Sequence, residues 1–443
     1  MSIPPKIVQR YFKKYSEDTW KLESNLQTKI DNAVVVPVIC ENENLRTLLS
    51  SLLQNDSKYF HNTIFIFVIN NFSDSSEEVK SDNQKSLSFL REIISCNNSS
   101  YLFTEEIIRA KMNIGLIDAA SENSEMPAKT GGVGLARKIG MDGALKIFDY
   151  ESPAKKILIC LDADCTVSAN YLTAIVDEYN TRNLSAAYVK FIHNVEGNIP
   201  TTQAIICYEI FLHYYVLGLK YADSPFAFHT IGSTMICDYE SYIKAEGMNK
   251  RKAAEDFYFM EKLAKNYKVD KINSATVYPS SRSSWRVPFG TGQRVGRFLS
   301  HVQNEYLLYD PKSFDVLKQW LQIYNSSLSF TADEFIKSAE NIHPELCNFL
   351  LQQNFVNDCT KILEHSTTPG QITKQKHKWF DGFRTLKLIH HLRDTAFPQL
   401  NMFEALNGMF ERAGINKDFY WNEESIPDID IQNKYLQLLR ELT

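Results

Sequence analysis

The chain has 443 residues, 44% hydrophobic and 23% charged, which suffices for a sizeable core, excludes a largely disordered chain and exceeds one ordinary domain. Lysine and arginine number 48 against 53 acidic residues, for a net charge of −5, so the basic excess that marks a nucleic-acid-binding protein is missing. The eight cysteines form no CxxC pair, which argues against zinc-ribbon and thioredoxin-like sites and for reduced, partly buried thiols in a cytosolic protein.

The opening MSIPPKIVQRYFKKY has no apolar core of the secretory type, so a cytoplasmic location is expected. Residues 1–31 read as polar and helical. Ala33 to Ile39, AVVVPVI, is a β-branched run suited to a buried parallel strand. Glu43 to Leu53 spaces its leucines as an amphipathic helix, and Thr63 to Ile69, TIFIFVI, is a second buried strand. Strand, helix and strand in this order predict an α/β domain. A helical patch follows around Leu87 to Ile94, then a loop over residues 121–132 and a helix from Gly134 to Phe148. Lys156 to Leu161, KILICL, is a third buried strand, and a helix over Tyr171 to Tyr179 follows. The apolar stretch Ala204 to Leu219 carries Glu209 and His213 and is too short to span a bilayer, so it reads as a core helix. After about residue 305 only helical patterns remain. The expected division is an α/β domain over 1–305 and a helical module over 306–443.

The sharpest chemical signal is Asp162-Ala163-Asp164 at the end of the third strand. Open α/β sheets place ligands at strand ends. Two carboxylates one residue apart suit a hard divalent cation, Mn²⁺ or Mg²⁺, which in turn grips diphosphate oxygens. The same residues also suit a helix cap.

Six segments stand in order: VVVPVICENENLRTLLSSLL, IFVINNFSD, GGVGLARKIGMDGAL, ILICLDADC, IGSTMICDYESYIKAEGMN and AAEDFYFMEKL. Together, over roughly residues 33–298, they resemble the family 2 glycosyltransferases of the GT-A fold, and soluble bacterial members in particular. The resemblance implies a Rossmann-like mixed sheet flanked by helices. It also implies a metal-dependent hexosyl transfer, inverting at the sugar, from a nucleoside-diphosphate sugar to an acceptor it does not identify. Pro37 and Glu41 fall in the family's "PVYNE" pattern, where the acid helps hold the nucleoside; a solvated helix-start carboxylate is the plainer reading of Glu41. Asn70 and Asn71 stand where the family usually has two aspartates against the base, and a simple turn fits them equally. Arg137 matches the "ARN" segment and would reach the diphosphate, with Gly131, Gly132 and Gly134 allowing close approach; Lys138 replaces the usual asparagine. Asp162 and Asp164 would hold the metal and the donor. Asp256, with Glu255 beside it, would be the catalytic base, or a helix cap. Gly232 and Ser233 would line the acceptor side. His229 reads by default as a core histidine and His301 as a remote metal candidate.

The run SRSSWRVPFGTGQRVGRF brings Arg282, Arg286, Arg294 and Arg297 among glycines, suited to closing over a diphosphate, with Arg294 taken as a donor contact. In HKWFDGFRTLKLIHHLRD an apolar stripe lies among basic residues; packing within the helical module is expected over peripheral membrane contact. The competing readings are a nucleotidyltransferase, which would carry a Gly-rich basic loop where this chain has ICENENL, and an inactive nucleotide-sugar-binding protein.

Overall fold

The computed structural model describes residues 4–26, 29–95, 102–195, 198–282, 290–421, 423 and 425–443. Arg286 lies outside the described residues. By internal contacts the chain divides into two units, residues 1–195 with 230–293, and residues 196–229 with 294–443.

The first unit carries a nine-stranded sheet. Its strands are β1 (Leu22–Ser24), β2 (Asn32–Val38), β3 (Thr63–Asn70), β4 (Asn113–Ala119), β5 (Ile157–Cys160), β6 (Thr166–Val167), β7 (Ala186–Phe191), β8 (Met235–Asp238) and β9 (Val269–Tyr278). The order across the sheet is β1-β4-β3-β2-β5-β8-β7-β9-β6. Strands β4, β3, β2 and β5 run parallel, and β8 lies antiparallel between β5 and β7. The helices of both units up to residue 326, in chain order, are α1 (Lys6–Tyr15), α2 (Asn42–Leu53), α3 (Glu77–Ser95), α4 (Leu102–Arg109), α5 (Val133–Leu145), α6 (Tyr171–Thr181), α7 (Ile199–Tyr221), α8 (Tyr239–Lys244), α9 (Glu255–Ala264), α10 (Thr291–Leu299) and α11 (Pro311–Ser326), of which α7 and α11 lie in the second unit.

The period-two rule of strands explains the layering. Val34, Val36 and Val38 of β2 join a core with the leucines of α2 and with Leu87, Leu90 and Ile93 of α3. Val35 points the other way, against α5, where Gly140 leaves room: a Cβ there would stand 2.3 Å from Val35 Cγ1. With both faces covered, all eight residues of β3 are buried, which is why these strands read as unbroken apolar runs.

The chain proceeds outward from β2 to β3 to β4, then returns through α5 to β5 on the far side of β2. That reversal sets the carboxyl ends of β2 and β5 side by side at the switch point, where open α/β sheets bind ligands. The N-terminal segment differs from its sequence reading. Among its described residues only Lys6–Tyr15 is helical, and Leu22–Ser24 adds an antiparallel strand on the edge of β4. Three residues are too few to show a period; the pairing comes from the edge that β4 offers.

The second unit continues with α12 (Ala332–Ile342), α13 (Pro344–Gln352), α14 (Phe355–His365), α15 (Pro369–Trp379), α16 (Gly382–Thr395), α17 (Met402–Arg412) and α18 (Ile429–Leu442). One two-residue ladder, Leu307–Leu308 with Leu400–Asn401, interrupts the helices. By contact this unit takes in α7, which a division at residue 305 leaves with the sheet. The cause is packing: α7 lies against α11, α17 and α18, and Ile206, Ile210, Tyr214 and Leu217 belong to this unit's core. Gly218 lets the ring of Phe314 approach to within 2.4 Å of where a Cβ would be. The segment 377–394 is two helices, broken where Asp381 caps α16 by accepting from Arg384 N at 2.9 Å. Its Trp379, Phe380, Leu388 and Ile389 are buried in the same core. Among the described residues no helix is long and apolar enough to cross a membrane. The described cysteines are all unbridged, and five of the seven are buried.

A chain ending at residue 308 keeps α7 and loses α11, α17 and α18. Its bare apolar surface is expected to make that fragment aggregate. A monodisperse fragment in size-exclusion chromatography, with α7 present, would contradict this packing.

Candidate functional site

Two strand ends and one helix start supply the site. After β5, Leu161 N still donates to Val35 O at 3.1 Å, holding the chain beside β2 as Asp162, Ala163 and Asp164 emerge. Ala163 is buried, whereas the side chains of Asp162 and Asp164 retain 35% and 26% exposure. After β2, Cys40 turns at φ 54 and sets Glu41 at the N-cap of α2. On the third side Ala254, at φ 57, starts α9 at Glu255 and Asp256. Left-handed backbone at a non-glycine residue is strained, and here two such residues each immediately precede a site carboxylate.

Two arginines tie these carboxylates together. Arg137, on α5 and 2% exposed, donates from Nη2 to Asp162 Oδ1 at 2.5 Å and from Nη1 to Glu255. Arg282, following β9, donates from Nη2 to Asp164 Oδ2 at 3.2 Å and to Glu41. The site is therefore two relays, each a guanidinium between two carboxylates. Asp256 stands beside the first, its Oδ1 accepting from Phe257 N at 2.7 Å. Five carboxylates face two guanidiniums.

The electrostatics follow from burial. Desolvation, then the neighbouring Glu255, pushes Asp256 up to about 7, against the pull of Arg137. Glu255 is raised by desolvation against Arg137. Asp164 is raised by desolvation and then by Asp162, against Arg282. Burial works against the charge of Arg137, but Asp162 and Glu255 outweigh it and hold the guanidinium protonated. Burial pushes the Cys160 thiol up to about 12 and Cys165 well above its usual value, so neither is a ready thiolate.

The structure brings Glu41, Arg137, Asp162, Asp164, Gly232, Glu255 and Asp256 together. Gly232, in a short 3-10 turn before β8, has a specific part: a Cβ there would stand 2.3 Å from Arg137 Nη2. Ser233 beside it is buried. Pro37 is paired in register with Val68 near the end of β2. Asn70 and Asn71 are buried at the end of β3, and their amide nitrogens turn inward. Asn70 Nδ2 donates to Val38 O at 2.9 Å, and Asn71 Nδ2 to Phe72 O at 3.1 Å. Asn83 of α3, which the sequence reading passed over, is the hub: it donates to Asn71 Oδ1 at 2.8 Å and to Asn70 O at 3.0 Å, and accepts from Cys40 N at 3.0 Å. It thereby braces the strained residue that presents Glu41.

Gly131, Gly132 and Gly134 stand at the start of α5. They make room for the chain itself: a Cβ on Gly134 would meet Arg251 O at 2.5 Å and Asn249 O at 2.6 Å, and one on Gly131 would meet Pro127 O at 2.8 Å. Arg294 belongs to the second unit. There it pairs with Glu305 and lies 4.4 Å over the Phe211 ring. His229 is buried in that unit with its ring 4.6 Å from His213, as a core histidine. His301 is exposed, and among the described residues no three His, Cys, Asp or Glu side chains form a metal-holding group.

No known family model matches the chain, and no curated protein sequence does. Solved structures do match. Residues 1–349 of S. aureus TarS in complex with UDP-GlcNAc align at 12% identity and TM-score 0.39, over 78% of this chain and 90% of that one. The mannosyltransferase PcManGT from Pyrobaculum calidifontis, in complex with GDP-Man and Mn²⁺, aligns at 13% identity and TM-score 0.36, over 88% and 93%. These are proteins the chain is similar to, and no residue is matched across.

Because Arg137 is buried and held from both ends, it cannot step aside for a methyl group. Gly232→Ala is expected to cost about 1–3 kcal/mol, the usual scale of overpacking. Urea denaturation measures it; an unchanged midpoint would mean that the contact is looser than described.

Proposed function

We propose that the chain is a glycosyltransferase of the GT-A type, moving a sugar from a nucleoside-diphosphate sugar to an acceptor hydroxyl, with a divalent cation and inversion at the sugar carbon. The observation that carries this reading is the gathering of five carboxylates and two guanidiniums at the switch point of an α/β sheet. That arrangement offers separate places for a cation, a diphosphate and a proton.

A two-carboxylate set suits Mg²⁺ or Mn²⁺, which take one or two carboxylates and complete their shell with water and substrate phosphates. Asp162 and Asp164 are that set, and the guanidinium already lying against Asp164 marks a position that attracts positive charge. When bound, the cation neutralises charge developing on the departing diphosphate. Arg137 supplies fixed positive charge from within the protein, and its Nε–H is buried without an acceptor among the described residues. Pro37, Glu41, Asn70 and Asn71 flank the nucleoside side; Gly232 and Ser233 lie on the acceptor side.

Asp256 takes the proton from the acceptor hydroxyl as its oxygen bonds to the anomeric carbon. The bond from that carbon to the diphosphate breaks, and the nucleoside diphosphate leaves with the electron pair. A carboxyl raised toward 7 is a stronger base than an ordinary aspartate and still ionises near neutral pH.

A panel of UDP-, GDP- and ADP-sugars with Mn²⁺ in a thermal-shift assay tests the reading. The true donor should add about 2.7 kcal/mol at a hundredfold excess over its dissociation constant. If no nucleotide sugar raises the melting temperature, the proposal fails. Asp164→Asn is expected to remove the Mn²⁺-dependent part of nucleotide binding; binding that keeps its full Mn²⁺ dependence would clear Asp164 of that role.

For the base, the sign is fixed by the direction of the shift. Asp256 works ionised, so turnover should climb with pH to a half-maximum near 7 and then level off. Asp256→Asn should keep donor affinity and lose about 10²-fold in turnover, together with that rising limb. Near-normal turnover in the variant would exclude Asp256.

A further inference from the structure

Arg282 has a property that the transfer reaction does not by itself require. Its guanidinium lies 3.2 Å from Asp164 Oδ2 and also engages Glu41, closing the cation side of Asp164. A divalent ion held by that same oxygen would take the place the guanidinium now fills. The two positive groups would then stand within a few ångströms of each other and repel. The cation and the Arg282–Asp164 pair therefore exclude one another.

The two relays differ in how firmly they are held. Arg137 and Glu255 are 2% and 6% exposed, so breaking that pair strands a buried charge. Arg282 and Asp164 are 38% and 26% exposed, so their pair is screened and cheap to open. Glu41, 5% exposed, also accepts from Asn44 and anchors Arg282 at its other end. The Nε–H of Arg282 is buried without an acceptor among the described residues, leaving donor capacity that phosphate oxygens fit.

We propose that Arg282 occupies the cation position at Asp164 until the donor arrives, and that cation and diphosphate bind cooperatively by exchange. The cation takes Asp164, and Arg282, released from it but still held at Glu41, turns its guanidinium to the diphosphate. The ion alone must displace an arginine, and the diphosphate alone meets an arginine engaged with a carboxylate, so each binds weakly. Together each removes the other's obstacle, and the coupling is reciprocal. This rests on the reading of Asp164 as a cation ligand.

The test uses the full chain and Mn²⁺ alone, with free Mn²⁺ followed by electron paramagnetic resonance. Arg282→Gln should bind Mn²⁺ about tenfold more tightly than wild type, while Arg282→Lys, which keeps the charge, should stay near wild type. The double variant Arg282→Gln with Asp164→Asn should lose the gain. UDP and GDP, titrated at saturating Mn²⁺, should bind Arg282→Gln about tenfold more weakly, so the variant moves the two affinities in opposite directions. A role confined to bracing the fold would not do this, and Arg282→Ala gives the same readout should glutamine disturb folding. Mn²⁺ affinity unchanged or weakened in both charge-removing variants overturns the exchange. So does a gain that survives Asp164→Asn, because it would then come from the freed Glu41. If nucleotide binding stays normal in those experiments, only the exchange falls. If no variant nor the wild type binds either Mn²⁺ or a nucleotide, the transferase reading falls with it.

Discussion

A guanidinium with 2% of its side chain exposed cannot be left alone, and the first unit is arranged around that of Arg137. An unpaired buried charge costs several kcal/mol. Asp162 and Glu255 remove that cost, and in doing so they join the end of β5 to the start of α9. Helix α5 must then hold one rotation about its axis. Gly140 seats it on Val35 of β2. On its other flank Lys138 and Asp142 pair at 3.0 Å, and the hydroxyls of Tyr11 and Tyr242 donate to Asp142 at 2.7 and 2.8 Å. Lys138, which looked in the sequence like a departure from the "ARN" pattern, is thus one half of a buried pair that fixes the helix. The front of α5 serves the site and its flank serves the fold.

What was legible in the sequence follows from where the signal was local. The runs AVVVPVI and TIFIFVI read as strands because burial on both faces leaves no alternation to confuse. The pair Asp162 and Asp164 is common by chance on its own, and it stood out because it ends an apolar strand within six segments that occur in order. Strand β1 and its pairing to β4 were not legible, since a three-residue strand carries no period. Nor was Asn83 of α3, an ordinary polar residue in an amphipathic helix until the fold carries it to the strand ends. The membership of α7 was hidden for a similar reason. A helix buried all round has no apolar face to point to its partners, and its partners are far along the chain. For Arg282 the residue type was informative and the partner was not: an arginine beside glycines suggests phosphate, whereas its carboxylate partners, Glu41 and Asp164, are 241 and 118 residues away in sequence.

The strained residues belong to the same logic. Cys40 and Ala254 both take left-handed backbone without being glycine, and each directly precedes a site carboxylate. Such conformations persist only where the surroundings over-determine them. Around Cys40 the constraint is Asn83, which accepts its N–H. Around Glu255 it is Asn249, donating to the main-chain carbonyl of Glu255 at 2.8 Å. Gly134, beneath, lets α5 approach the 249–251 turn closely enough for that loop to be seated.

The balance of charge decides how firmly each side chain of the site is held. Five carboxylates in one place repel each other, and desolvation raises Asp164, Glu255 and Asp256. Two guanidiniums offset only part of that, and they do so unequally. Arg137 and its partner Glu255 are 2% and 6% exposed, so that charge is a fixed part of the floor. Arg282 is 38% exposed, so its hold on Asp164 is the weaker of the two. On the exchange proposed above, a site with one fixed and one exchangeable positive charge would take a cation where the exchangeable one sits.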